Sequence, residues 1–241
     1  DMEQFDSQQL TFENKANLSP DNYNAKIEIV SVNGGEDGNT SNNIVEKEIN
    51  VELGTTQRIP MIEHFSSSTC VPCVNINYAM HQLTESNPGK FCYTKYPTDI
   101  PGLGDPYYTA EVEIRKKYYN VNSVPQVIFN GTNLGSSSIS QYQLEESYNT
   151  NAYVNIKGAF NMEGNTINVT ADVMSYIDIE NAKVFISVNE KHTTGNASYN
   201  GETDFYHIMM KMLENANGND ITLKAGEYQR FEFSYDMSQT N

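Results

Sequence analysis

The stretch RIPMIEHFSSSTCVPC, residues 58–73, decides the fold that this sequence predicts. Its apolar run Ile59–Ile62, continued by Phe65, is typical of a buried strand. The apolar period after the second cysteine predicts a helix that runs toward Leu83 and ends at the Asn-Pro-Gly sequence of residues 87–89. Two cysteines separated by two residues are therefore expected where a strand turns into a helix.

That position gives Cys70 and Cys73 a chemical meaning. The first N–H groups of a helix lack partners within the helix and carry a partial positive charge, which stabilises a thiolate. We therefore expect Cys70 to be the attacking nucleophile. Cys73, one turn further into the helix and less exposed, would resolve the mixed disulfide. Pro72 restricts the turn between them.

Strands and helices alternate through the rest of residues 58–150, which predicts an α/β domain with a mixed central sheet flanked by helices. After the first helix, the pattern predicts strands at residues 91–96 and 123–131. Helices are predicted at residues 108–118 and in a last segment ending near Tyr148.

The chain outside this range predicts different structure. From residue 151 to residue 241 helical periods nearly vanish, and six short apolar stretches alternate with Asn, Gly and Asp turns, so we expect a second, all-β sandwich-like domain. Residues 1–22 are polar and aperiodic, as in a leader or tether. Residues 23–57 alternate like a β-hairpin, which could join the second domain or stand alone.

Charge and composition exclude several classes of partner. Fifteen Lys and Arg against 31 Asp and Glu give a net charge of −16, which disfavours binding to nucleic acid and to anionic lipid surfaces. No run approaches the roughly 18–20 apolar residues of a membrane span, so membrane contact is expected only through an N-terminal lipid tether. Low charge density, no Trp and many Asn, Ser, Thr and Tyr favour a location outside the cytoplasm.

A second motif lies far downstream of the cysteines. The sequence YYNVNSVP at residues 118–125 precedes an apolar strand that ends in an Asn-Gly turn. With Phe65 and the Cys-Val-Pro-Cys sequence before it, in this order, the motif resembles the thioredoxin-like thiol-disulfide oxidoreductases over residues 58–150. The resemblance implies that Pro125 is cis and faces the cysteine pair, and that the backbone of Val124 pairs with the substrate.

The arrangement of the whole chain resembles a narrower group. Residues 188–207 are similar to the second half of thioredoxin-like outer-membrane proteins and lipoproteins of Bacteroidetes, in which a β-rich domain follows the thioredoxin-like one. This resemblance implies an exported, lipid-tethered protein of the bacterial cell envelope, in the periplasm or at the outer membrane.

Two positions depart from the family pattern. Thr69 stands before the first cysteine, where many members carry a Trp that contacts substrate, so Thr69 and Pro72 are expected at the substrate surface with different preferences. His64 replaces the family's buried acid, which serves as proton shuttle for the second cysteine. A neutral imidazole could do the same near pH 7, or His64 could simply be packed and hydrogen-bonded. Glu63, on the opposite strand face, is a weaker candidate.

Other cysteine, histidine and methionine residues favour structural interpretations. No ligand spacing links the four histidines to the cysteines, so we expect no metal site. Cys92 is expected to be a small buried apolar residue. Alternation places Met209 on the strand face of His207, with Met210 and Met212 on the other, which favours core packing over a copper site.

The leading functional hypothesis is a cofactor-free thiol-disulfide oxidoreductase outside the cytoplasm. Cys70 would attack, Cys73 resolve and His64 handle the proton, with Val124 and Pro125 positioning a partner protein's thiol or disulfide. An electron donor or acceptor of the envelope would complete the cycle. The alternative is a non-catalytic surface-exposed binding or adhesion protein in which the thioredoxin-like domain is a relic scaffold.

Overall fold

The computed structural model describes residues 11, 16, 18–32, 34–197 and 199–240. Most of the leader predicted at residues 1–22 therefore lies outside the described residues. The described chain falls into two compact units, one ending at Leu53 and the other beginning at Gly54. Its architecture is β-rich, with several sheets and three α-helices among the described residues. None of these helices is long and apolar enough to cross a membrane.

The first unit contains a two-stranded antiparallel hairpin. Strand β1 spans Asp21–Glu28 and strand β2 spans Ile44–Val51, with a short 3₁₀ turn at Thr40–Asn42 between them. The predicted hairpin is confirmed, but the unit ends before residue 57, because Thr56–Gln57 pairs with Asn151–Ala152 in the second unit. None of the described residues of the hairpin is buried.

The second unit holds the remaining strands and the helices. The first half contains β3 (Thr56–Gln57), β4 (Met61–Ser66), α1 (Cys73–Glu85), β5 (Cys92–Pro97), α2 (Ala110–Tyr118), β6 (Gln126–Phe129), β7 (Thr132–Asn133) and α3 (Gln141–Tyr148). The second half contains β8 (Asn151–Ala152), β9 (Val154–Glu163), β10 (Thr166–Ser175), β11 (Ile179–Val184), β12 (Ile186–Thr193), β13 (Phe205–Leu213), β14 (Asn219–Leu223) and β15 (Tyr228–Asp236).

A six-stranded mixed sheet forms the centre of this unit, in the order β12-β13-β5-β4-β6-β7. Strand β4 runs parallel to β5, with His64 opposite Lys95, and antiparallel to β6, with His64 opposite Val127. The apolar residues of β4 alternate between two cores, because Ile62 packs with Met80 of α1 and Phe65 packs on the other face. The predicted succession of strands and helices after residue 58 is confirmed.

The predicted boundary at residue 150 does not divide this sheet. Strand β13 pairs in parallel with β5, and β12 pairs with β13, so strands from the range 151–241 extend the central sheet. The physical reason is burial, because apolar side chains of β13 fill the core over Phe65 and Tyr96. Alternation in the sequence predicts a strand but not the edge with which it pairs.

Strand β13 also departs from regular alternation. His207 has a φ of +58°, and the register of β12 and β13 shifts between Val188 and Asn189. Met209 and Met212 therefore share one core with Phe65, which corrects the prediction that they point to opposite faces. The predicted core packing of these methionines is confirmed.

The other strands of the range form smaller sheets. Strands β15, β10 and β9 make a three-stranded antiparallel sheet, and β11 pairs with β14. Ala171, Val173, Ile221, Leu223 and Phe231 of these strands pack in one apolar core. This part of the chain is β-rich, as predicted.

Candidate functional site

The turn between β4 and α1 carries the two cysteines. The N–H of Cys70 donates to the carbonyl of Ser67 at 3.0 Å, and the N–H of Cys73 lies 3.2 Å from both the carbonyl oxygen and the Sγ of Cys70. Pro72 stands at the N-cap of α1 and contributes no side-chain cap. The open end of the helix therefore faces a sulfur atom, as the sequence predicts.

Cys70 and Cys73 are joined in a disulfide, with their Cα atoms 5.3 Å apart. Their residues are 1% and 0% exposed, whereas Val71 and Pro72 between them are exposed. The expectation that Cys70 is the more accessible cysteine is therefore wrong for this oxidised state. Val124 and Asn200, which are distant in sequence, contact Cys70, and both cysteines are closed to solvent in this form.

The Val124–Pro125 segment lies against the disulfide. The peptide bond between these residues is cis, as the family resemblance implies, and the carbonyl oxygen of Val124 lies 3.7 Å from the Sγ of Cys70. Pro125 is buried, and its carbonyl accepts a hydrogen bond from Ser136. Residues 55 positions apart in sequence are thus brought together by the antiparallel pairing of β4 and β6.

His64 is fully buried on β4. Its Nδ1 lies 2.8 Å from the hydroxyl of Tyr93, and its Nε2 is buried without a hydrogen-bond partner in the described residues. Burial, reinforced by the nearby Lys95 ammonium, holds the pKa of His64 well below its usual range. The imidazole is therefore neutral near pH 7.

Glu63 belongs to a structural cluster on the opposite face of β4. Its carboxylate accepts hydrogen bonds from Arg115 at 2.7 Å, from Tyr96 at 2.8 Å and from the hydroxyl of Tyr119. The guanidinium of Arg115 also stacks on the ring of Phe185 at 4.1 Å. These contacts satisfy the buried carboxylate of Glu63, and none of them involves Cys70 or Cys73.

Thr69 bridges the cysteine turn to the loop after β5. Its hydroxyl donates to the carbonyl of Pro101 at 2.7 Å and is 2.7 Å from the hydroxyl of Ser67. From the same loop, the carboxylate of Asp105 accepts the N–H of Ser68 at 2.8 Å. Thr69 is partly buried, so its side chain helps to hold the turn as well as to border it.

The loop between β12 and β13 contacts the cysteine turn through Asn200. The backbone N–H of Asn200 donates to the carbonyl of Ser68 at 3.1 Å. Its side-chain amide lies 3.4 Å from the carbonyls of Ser67 and Cys70. Sequence reasoning missed Asn200, because a residue 130 positions from Cys70 in a polar loop carries no spacing signal.

Lys95 was also missed, since a lysine in a strand is usually exposed. It is buried on β5 opposite His64, and burial lowers its pKa to about 8. The carboxylates of Glu202 and Asp105 oppose that shift. The sheet beneath the disulfide therefore contains a buried cation balanced by two carboxylates from separate loops.

The third cysteine differs from its prediction. Cys92 is a free thiol and is exposed rather than buried, because it begins β5 at the end of the sheet. Within the described residues, no group of three or more His, Cys, Asp or Glu side chains could hold a metal ion.

No protein-family model and no curated protein matches the sequence. The structure is similar to that of protein AGR_C_4864 from Agrobacterium tumefaciens, with a TM-score of 0.52 and 15% identity over 74% of this chain and 79% of that protein. It is also similar to HBP35 of Porphyromonas gingivalis, with a TM-score of 0.52 and 10% identity over 76% of this chain and 65% of HBP35. At these identities, what the chain shares with both proteins is the fold.

Proposed function

We propose that this chain is a thioredoxin-like thiol-disulfide oxidoreductase that acts outside the cytoplasm. The observation that carries the proposal is the Cys70–Cys73 disulfide at the start of α1, with the Sγ of Cys70 3.7 Å from the carbonyl of Val124. A redox pair needs two sulfurs that can bond to each other, a helix end that stabilises a thiolate and a backbone segment that can receive a partner chain. These three features meet in one place.

The topology supports the same proposal. Within the central sheet, β5, β4, β6 and β7 are neighbours in that order, with β4 and β5 parallel and the next two strands antiparallel. Helix α1 connects β4 to β5, and α2 precedes β6. This order supports the proposed thioredoxin-like fold, and strands β12 and β13 extend the sheet beyond β5.

The reaction follows from the two sulfurs. In the reductive direction, the Cys70 thiolate attacks one sulfur of a substrate disulfide, forming a mixed disulfide and releasing one substrate thiolate. The Cys73 thiolate then attacks the Sγ of Cys70, which forms the intramolecular disulfide and releases the second thiolate. Two electrons pass to the substrate, and the protons lost by the two cysteines balance those gained by the products.

His64 is the proposed proton carrier for the resolving thiol. Its imidazole is neutral and buried, its Nδ1 lies 2.8 Å from the hydroxyl of Tyr93, and its Nε2 has no hydrogen-bond partner within the described residues. Because Cys70 is covered in the oxidised state, we also propose that a reducing partner must displace the covering groups before exchange.

The experiment compares wild type with Cys70→Ser and Cys92→Ser in the reduction of a small aromatic disulfide by the pre-reduced protein. We expect Cys70→Ser to lose at least 100-fold in rate, and Cys92→Ser to retain the wild-type rate because Cys92 lies outside the proposed site. Equal rates for wild type and Cys70→Ser would reject the enzymatic function.

Two observations favour a second candidate, the non-catalytic binding protein. Both sulfurs are buried, as in a structural disulfide, and exposed apolar side chains on β9, such as Ile156 and Phe160, offer a contact surface. This candidate predicts that Cys70→Ser leaves partner binding unchanged and that the wild-type disulfide resists reduction by glutathione.

A location in the cell envelope is part of the proposal. An intramolecular disulfide persists in oxidising compartments, and the composition favours the outside of the cytoplasm. The proposed partners are protein thiols or disulfides and an envelope electron donor or acceptor. Fractionation of cells that express the full-length protein tests this, and recovery in the cytosolic fraction would contradict it.

A further inference from the structure

A carboxylate from the loop between β12 and β13 reaches the first turns of α1. Both oxygens of Glu202 accept hydrogen bonds from the side-chain amide of Asn77, at 2.8 and 3.0 Å. Asn77 follows Cys73 by four residues and so lies on the same face of α1, one turn further along. Glu202 is thereby tied to the helix that carries the resolving cysteine.

The same carboxylate is tied to the turn that carries Cys70. The Nδ2 of Asn200 lies 2.5 Å from Glu202 and 3.4 Å from the carbonyl of Cys70. The N–H of Glu202 in turn donates to the side-chain oxygen of Asn200 at 2.9 Å. One acidic group therefore fixes, through two asparagines, the two backbone segments between which the disulfide lies.

Glu202 interacts electrostatically with groups on β5. Lys95 on β5 interacts electrostatically with Glu202 and with Asp105 of the loop after β5. His64 on β4 is neutral and close to Lys95. The Glu202 carboxylate is hydrogen-bonded to Asn77, one turn along α1 from Cys73, and like charges repel, so it disfavours a thiolate at this end of the helix.

We propose that Glu202 is a positioning residue for the Cys70–Cys73 pair, holding the oxidised form closed and setting its redox equilibrium toward the disulfide. The inference rests on the proposed function. Two effects act in the same direction, because the hydrogen bonds through Asn77 and Asn200 stabilise the closed oxidised turn and the negative charge destabilises the reduced thiolates. Removing the carboxylate shifts the equilibrium toward the dithiol.

The test measures the equilibrium of the purified protein with reduced and oxidised glutathione, read by mass after acid quenching and thiol alkylation. For Glu202→Gln we expect about a tenfold shift toward the dithiol, which corresponds to about 30 mV. The control is Asp204→Asn, which removes an exposed carboxylate of the same loop that pairs with His192. We expect it to change the equilibrium by less than twofold.

A purely structural role would lower the melting temperature of Glu202→Gln without changing the equilibrium. A shift below twofold in Glu202→Gln, or an equal shift in Asp204→Asn, overturns the inference while leaving the proposed function intact.

If Glu202→Gln does not fold, Asn77→Ala takes its place, since it removes the amide that holds the carboxylate. We then expect at least a threefold shift toward the dithiol. The absence of any shift would overturn the inference. A wild-type protein that never exchanges with glutathione rejects the proposed function itself.

Discussion

The Sγ of Cys70 lies 3.7 Å from the carbonyl oxygen of Val124, and Cys70 is buried. The sulfur and the backbone proposed to receive a partner are thus already in contact with each other. A partner whose backbone pairs with Val124 is placed next to the Sγ of Cys70, once the loop that carries Asn200 has moved.

Weakening the contacts of Asn200 with the cysteine turn should speed reduction of the Cys70–Cys73 disulfide. Asn200→Ala removes the side-chain amide next to the carbonyls of Ser67 and Cys70, and each hydrogen bond contributes about 1 kcal/mol. We expect dithiothreitol to reduce the disulfide about three to ten times faster than in wild type, as followed by thiol titration. Asn217→Ala, an exposed loop residue, is the control. An unchanged rate in Asn200→Ala would show that this loop does not limit access.

The buried ion pair between Glu63 and Arg115 should dominate the stability of its region. Arg115→Met leaves the Glu63 carboxylate buried without its cation, which costs about 3–5 kcal/mol of the free energy of unfolding. Lys117→Met, which breaks an exposed pair with Glu113, should cost less than about 1 kcal/mol. Urea unfolding measures both, and similar losses in the two variants would contradict the assignment.

His64 should make the protein sensitive to mild acid. Because its pKa is lowered in the folded state, the unfolded chain binds a proton that the folded chain does not, so stability falls as the pH falls below about 6.5. His64→Gln should remove this loss between about pH 5 and 6.5. Thermal unfolding across that window tests it, and parallel curves for the two proteins would count against a buried neutral imidazole.

Lys95 should make the stability of the protein depend on pH in the alkaline range. Its folded-state pKa is about 8, below the ordinary lysine value, so above pH 8 the folded protein has released a proton that the unfolded chain retains. This contribution to stability increases with pH, by about 1 kcal/mol per unit, until the unfolded lysine titrates near pH 10. Urea unfolding of wild type and Lys95→Met from pH 7 to 10 measures the difference between their free energies of unfolding. This difference should grow with pH in favour of wild type. A constant difference would contradict the shifted pKa.

Local patterns were sufficient to predict most elements. The alternation in residues 166–174, 205–213 and 228–235 predicts strands that the structure places at nearly the same positions. The helix after Cys73 also follows from the sequence, and the family resemblance implies the contact of the Val124–Pro125 segment with Cys70. These features depend on periodicity and on a motif whose parts keep their order.

Long-range pairing was not predictable in the same way. Nothing in the sequence of β13 indicates that it pairs with β5, and nothing near Asn200 or Glu202 indicates that they reach α1. Cys70 is buried and contacts Val124 and Asn200, which lie 54 and 130 positions away in sequence, whereas the cysteine motif alone predicts an accessible sulfur. The exposure of Cys92 follows from its place at the end of β5.

The central sheet is assembled from early and late parts of the chain, and synthesis proceeds in one direction. Cys70 and Cys73 leave the ribosome about 130 residues before Asn200 and Glu202 exist to cover them. The contacts that Asn200 and Glu202 make with the cysteine turn and with α1 can therefore form only after most of the chain has been synthesised.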